Sequence, residues 1–190
     1  IIPARGGSKR IPRKNIIDFG GKPLISWTIE AALLSKEFDR VVVSTDCEEI
    51  AAISESFGAE VPFLRKTDFD DTTPVSLATL NYTLNLQEYL GVSIEHVTQL
   101  MANCPLRTEN DIQNFIKEFH NIDTNFLLSC FKFGWINPWW AFKIDKNGLH
   151  NFVFSEALKK RSQDLEDLFC PTGSIWIAKV AELELAKTFY

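Results

Sequence analysis

The chain of 190 residues has little of what redox, metal or membrane chemistry requires. Its four cysteines, Cys47, Cys104, Cys130 and Cys170, are scattered and form no Cys-x-x-Cys pair. Neither a zinc cage nor a disulfide framework is indicated, and a reducing, cytoplasmic setting is expected. The three histidines, His96, His120 and His150, share no ligand-like spacing and read as structural. No apolar run approaches the ~20 residues of a membrane-crossing helix, so no membrane partner is expected. The Gly-x-x-x-x-Gly-Lys-Ser/Thr of a Walker A loop and the Gly-x-Gly-x-x-Gly of dinucleotide folds are both missing. No linker or internal repeat divides the chain. It has no initiator Met and opens in mid-strand, so a longer parent chain, cut at both ends, is expected.

What is present is an ordinary globular composition, 45% apolar and 24% charged, which suits one domain with a sizeable core. The net charge is −5, yet residues 1–15 carry five cations, Arg5, Lys9, Arg10, Arg13 and Lys14, and no acid. Charge focused this way suits a small anion rather than the long basic stripe of a nucleic-acid binder. The cations share a loop with Gly6 and Gly7 directly after an apolar run, and that is phosphate-binding chemistry. Glycine lets the backbone aim its N–H groups at one point, while Arg and Lys add charge-assisted hydrogen bonds. A solvated basic face is the plainer reading, and Arg10 and Arg13 fit it as well as they fit a ligand role.

The periodicity alternates between strand and helix. Leu24, Ile25, Thr28, Ala31 and Ala32 predict a helix opened by Pro23, and Arg40 to Thr45 a buried strand. Glu48 to Phe57 predicts a helix closed by Gly58, and Glu60 to Leu64 another strand. Pro74 to Leu90 predicts a helix ended by Gly91, and His96 to Leu100 a strand. Thr108 and Asp111 form a capping box for a helix reaching about His120. Phe126 to Phe131 and Ser174 to Ala178 read as strands, and Val180 to Lys187 as a short helix. The pattern implies an α/β fold with a mostly parallel sheet and helices on both faces. An aromatic stretch with Trp135, Trp139 and Trp140 interrupts it, followed by a hairpin turning at Asp145 to Gly148. Ligands of such sheets sit beyond the carboxyl ends of the strands, where the first loop, Asp46, Arg65 and residues 103–107 all fall.

Six stretches carry a resemblance in order along nearly the whole chain: the first loop, Gly21-Lys22-Pro23-Leu24, Asp39 to Asp46, Gly58 to Arg65, Cys104-Pro105-Leu106-Arg107 and Arg161-Ser162-Gln163-Asp164-Leu165. Together they resemble the CMP-N-acetylneuraminate cytidylyltransferase family, and the last of them its pseudaminic acid branch. The resemblance implies a Rossmann-like, GT-A-like three-layer nucleotidyltransferase fold of one domain, 1–190, with residues 133–155 as an insertion. It implies transfer of CMP from CTP to an acidic nine-carbon sugar with release of pyrophosphate. It also implies a homodimer whose insertion reaches a second subunit, although the tryptophans could equally be core or a wall for the sugar.

By that resemblance, Arg5 and Lys14 stabilise the leaving pyrophosphate. Ala4, Arg5, Gly6, Gly7, Ser8, Lys9, Lys14 and Asn15 hold the nucleotide, with Arg65, Asp71 and Thr72 at the base. Arg65 could instead pair with Asp68 or Asp70. Asn103, Arg107, Arg161, Gln163, Thr172 and Gly173 would meet the sugar. Met101 stands where sialic-acid members carry an amide, which favours a different acidic sugar, although core packing would suit it too. Mg²⁺ is the implied cofactor, with aspartate ligands expected beyond Tyr190; Asp46 could serve a metal, the ribose or merely a turn. A nucleotidyltransferase for another sugar and a catalytically silent nucleotide-binding domain are the alternatives.

Overall fold

A computed structural model describes residues 1–8, 10–65 and 73–190. In chain order its elements are β1 (Ile2–Pro3), α1 (Leu24–Ser35), β2 (Val43–Ser44), α2 (Glu48–Ser56), α3 (Val75–Leu90), β3 (His96–Leu100), α4 (Glu109–Asn121), β4 (Phe126–Lys132), β5 (Phe142–Ile144), β6 (His150–Phe152), β7 (Phe169–Lys179) and α5 (Val180–Ala186). By contacts the chain divides into two units, Ile1–Ser129 with Gly173–Tyr190, and Cys130–Thr172. The second is wider than the expected insertion at 133–155.

In the first unit, β1 pairs in parallel with β2, Ile2 opposite Val43, and β2 extends through a parallel bridge from Val42 to Glu60. Leu100 N–H donates to the Ile1 carbonyl at 3.0 Å, which joins β3 to β1. β7 lies between β3 and β4, antiparallel to β3 with Leu100 opposite Ile175. The described ladders are therefore of both senses, where a mostly parallel sheet was expected. Pro62 accounts for one shortfall: it has no N–H to donate, so the strand expected at 60–64 is reduced to its first residue. β7 is longer than expected, because Pro171 and the left-handed Gly173 conceal five strand residues ahead of Ser174.

Alternation along these strands sorts the core into two faces. Ile2, Val43, Leu100, Ile175 and Ile177 pack with Ile25 and Ile29 of α1 and Ile112, Ile116 and Phe119 of α4. On the opposite face Val97, Trp176 and Ala178 pack with Leu80 of α3 and Leu183 of α5, while Val42 meets Tyr82 and Leu86 of α3. Each such aliphatic side chain contributes about 1.5–3 kcal/mol on burial. Helix, sheet, helix is the three-layer arrangement that the repeating strand–helix pattern implied.

In the second unit β5 and β6 form an antiparallel hairpin, Phe142 opposite Phe152. Its turn is held by Asp145, whose Oδ1 accepts from the N–H groups of Asn147 and Leu149. Trp139 is partly enclosed in this unit, its indole N–H donating to the Glu166 carbonyl at 2.9 Å and its ring edge-on to Phe154, whereas Trp135 is 95% exposed.

The expected capping box is present: the Thr108 hydroxyl accepts from Asp111 N–H, and the Asp111 carboxylate accepts from Thr108 N–H. That backbone bond, with a second from the Thr108 hydroxyl, holds the Asp111 carboxyl below its ordinary pKa. Thr108→Ala should cost about 1 kcal/mol of unfolding free energy in a denaturant titration, and a change below a few tenths would show that the box is dispensable.

Candidate functional site

The loop after β1 is shaped by two features of Gly6. A Cβ there would stand 2.9 Å from the Cβ of Cys47, closer than real side chains come, so only glycine lets the loop approach the segment after β2. Its N–H donates to Asp46 Oδ1 at 2.7 Å. Gly6 was expected to offer that N–H to phosphate; it is instead taken by Asp46, so Gly6 anchors the loop. Asp46 acts here as a turn anchor, one of the three roles open from sequence. A Cβ on Gly7 would meet nothing within 4 Å, so space does not demand glycine at that position. Asn15, only 5% exposed, donates through Nδ2 to the Arg5 carbonyl at 3.0 Å and closes the loop from its far end.

Behind this loop lies a cleft of about 760 Å³ at the carboxyl ends of β1 and β3. Arg5, Ser8, Arg10, Lys14 and Asn15 supply its polar lining with Arg65, and Ala4, Val75, Ala78, Met101 and Ala102 its apolar lining. Among the described residues, four cations and no carboxylate line it. Arg13 is directed elsewhere, into an ion pair with Glu49. Lys14 is held below the ordinary lysine pKa, first by partial burial and then by the charges of Arg10 and Arg5. Burial and like charge both act against the protonated form of Lys14, the form that an anion in the cleft would favour. Arg10 thus lines the cleft, and Arg13 turns away from it. The sequence passed over Ala78, whose role shows only when α3 is placed against the cleft. Lys9, Asp71 and Thr72, with the possible Arg65 partners Asp68 and Asp70, lie outside the described residues.

The turn after β3 borders this cleft on one side and a second, more open hollow of about 630 Å³ on the other; Asn103 lines both. Arg107 was expected to meet the sugar, and it does border the second hollow, but its guanidinium is committed to the protein. One Nη donates to the Ser174 carbonyl at 2.5 Å, the other to Thr28 Oγ1 at 2.9 Å and the Met101 carbonyl at 3.3 Å. It is 7% exposed, and burial lowers its pKa to about 10. Arg107 therefore clamps the turn to α1 and β7, which is the correction to its assignment as a sugar ligand.

The remaining candidates fall in or beside the second unit. Arg161 is exposed and makes a bidentate pair with Asp164 at 2.8 and 3.1 Å, so the fork expected for a sugar carboxylate already has one. Gln163 is exposed on the same turn, and Thr172 and Gly173 lie within β7, where Gly173 has a φ of +70°. Among the described residues no group of three or more His, Cys, Asp or Glu could hold a metal ion. With Asp46 engaged by Gly6 and no acid among the described lining residues, those residues do not fit a resident magnesium site.

Two measurements follow from this geometry. Gly6→Ala should leave the melting temperature within a few degrees of wild type yet weaken CTP binding at least ~10-fold, since the loop must move away from Cys47; unchanged binding would mean the approach is unimportant. Because Lys14 loses its proton at lower pH than an ordinary lysine, CTP affinity should fall as pH rises through that depressed value. Lys14→Arg, which stays protonated, should flatten this alkaline limb of the binding curve. An unaltered limb in that variant would place the titrating group elsewhere.

The chain has relatives among known proteins. The family profile described as Cytidylyltransferase matches residues 1–167. The chain is 38% identical over 176 residues to a pseudaminic acid cytidylyltransferase of Campylobacter jejuni, covering 93% of this chain and 75% of that protein. It is 35% identical over 198 residues to a CMP-N,N'-diacetyllegionaminic acid synthase of Legionella pneumophila, covering all of this chain and 81% of that one. Among solved structures it resembles a CMP:2-keto-3-deoxy-manno-octonic acid synthetase complexed with CTP, with a TM-score of 0.71 at 17% identity, covering 98% of this chain and 75% of the other. That structural likeness speaks to the fold, a nucleotidyltransferase α/β fold. The profile and the sequence identities establish more: the chain belongs to the cytidylyltransferase family.

Proposed function

We infer that this chain transfers CMP from CTP to a nonulosonic, sialic-acid-like sugar and releases pyrophosphate. The observation that carries the reading is the cleft behind the first loop, where Arg5, Arg10, Lys14 and Arg65 line one space. Its relatives narrow the acceptor to the class their names state, pseudaminic and diacetyllegionaminic acids.

In the reaction the acceptor hydroxyl oxygen bonds to the α-phosphorus, the bond from that phosphorus to the bridging oxygen of the pyrophosphate breaks, and the hydroxyl proton leaves to solvent. Such a transfer depends on positioning and on neutralising charge more than on covalent help from the protein. Arg5 and Lys14 meet the charge that grows on the departing pyrophosphate. Preorganised cations act most strongly where burial has already removed water, as the depressed pKa of Lys14 records. Asn15 and Asp46 work indirectly: one holds the Arg5 carbonyl and the other the Gly6 N–H, so the loop does not have to reorganise when the nucleotide arrives.

The apolar lining from Val75, Ala78, Met101 and Ala102 suits the face of a base, and Arg65 is available to a base carbonyl. Asn103, bordering both hollows, is placed to meet a sugar that approaches from the side opposite the phosphates.

The test is pyrophosphate release from CTP, with Mg²⁺ in the buffer, against a panel of nonulosonic acids. Arg5→Ala should lower turnover by ~10²-fold or more, the loss of about 2–4 kcal/mol of transition-state stabilisation. Arg13→Ala, which removes only the ion pair to Glu49, should stay within a few-fold of wild type. Equal rates for Arg5→Ala and wild type would sink the assignment of this cleft.

A further inference from the structure

Gln99 lies near the end of β3, between buried Thr98 and Leu100, and reaches no solvent at all. An amide in such a place is costly unless it finds partners, so its partners are informative. Its Oε1 accepts a 2.5 Å hydrogen bond from the Thr79 hydroxyl. Its Nε2 lies 3.7 Å from the Sδ of Met101, a weak acceptor. Thr79 is fully buried on α3, one turn beyond Val75 and adjacent to Ala78. Val75 and Ala78 belong to the apolar lining of the cation-rich cleft, and so does Met101.

One buried amide thus connects the two parts of the chain that form the apolar walls of the cleft, the first turns of α3 and the segment leaving β3. Met101 needs such a restraint, since a thioether side chain with three rotatable bonds can otherwise fill or vacate the space beside it. The Met101 carbonyl is fixed independently, by Arg107, so the backbone is anchored and the side chain is what Gln99 holds.

We propose that Gln99 is a positioning residue for nucleotide selection: acting through Thr79 and Met101, it sets how far apart the apolar walls stand and so favours the single ring of cytosine over the double ring of a purine. This rests on the reading of the cleft as the CTP site.

The test measures dissociation constants for CTP and ATP by calorimetric titration on wild type, Gln99→Leu, Met101→Leu and the double variant. In each single variant the preference for CTP over ATP should fall roughly fivefold or more, and the double variant should fall no further than Gln99→Leu, because the contact that Met101→Leu breaks is already lost without Gln99. A preference that is unchanged in the single variants, or a loss of affinity equal for both nucleotides, would mean Gln99 is merely structural and would overturn the proposal. Effects that add in the double variant would overturn it too. If Gln99→Leu does not fold, Met101→Leu decides alone, being volume-conserving at a partly exposed position. A wild-type protein that binds CTP no better than ATP would bring down the CTP reading itself, and with it this proposal.

Discussion

Like charges gathered around one cleft, with no described carboxylate opposite, are the constraint on which the rest of the first unit depends. Arg5, Arg10, Lys14 and Arg65 repel one another whenever the cleft is empty, and the lowered pKa of Lys14 is the trace of that repulsion combined with lost hydration. Asn15, an uncharged amide, fixes the Arg5 carbonyl, and Asp46 accepts from the Gly6 N–H. The cation that would add repulsion without benefit, Arg13, is drawn off by Glu49. What remains is a cluster of cations lining one space, an arrangement suited to an anionic ligand.

The second organising element is the turn after β3. Arg107 is buried among carbonyl and hydroxyl oxygens from three separate parts of the chain, and hydrogen bonds to a charged donor contribute about 1.5–3 kcal/mol each, enough to offset much of the cost of burying it. Because the turn is held from inside, one of its residues, Asn103, can border two hollows at once. The polar contacts of Gln99 and Thr79 lie beneath the same wall.

Much of this was legible along the chain because it is governed by neighbours in sequence. The helices follow from the spacing of apolar residues, and α4 starts where Thr108 and Asp111 cap it. The hairpin turns where Asp145 and Gly148 allow it. Charge focused in the first fifteen residues marked the ligand loop. Other features gave misleading signals: Pro171 and Gly173 obscured the start of β7, and Arg161 looked available for a carboxylate until Asp164, three residues on, proved to hold it. Gln99 did give a signal, an amide in a strand otherwise suited to burial, but nothing in the sequence said which side chains it would meet.

The sequence by itself determined the class of chemistry and the family, because short ordered blocks such as the glycine and cation loop survive as local patterns. Tertiary structure alone decided which members of those blocks do what. Gly6 is required by Cys47, forty-one positions away, Arg107 is turned inward by Thr28 and Ser174, and Arg10 and Arg13 are sent to opposite fates by a cleft and a glutamate. The physical reason is the same in each case: steric exclusion, hydrogen bonding and charge repulsion act over a few ångströms of space, and it is the folded sheet, not the order of residues, that brings distant positions within that range.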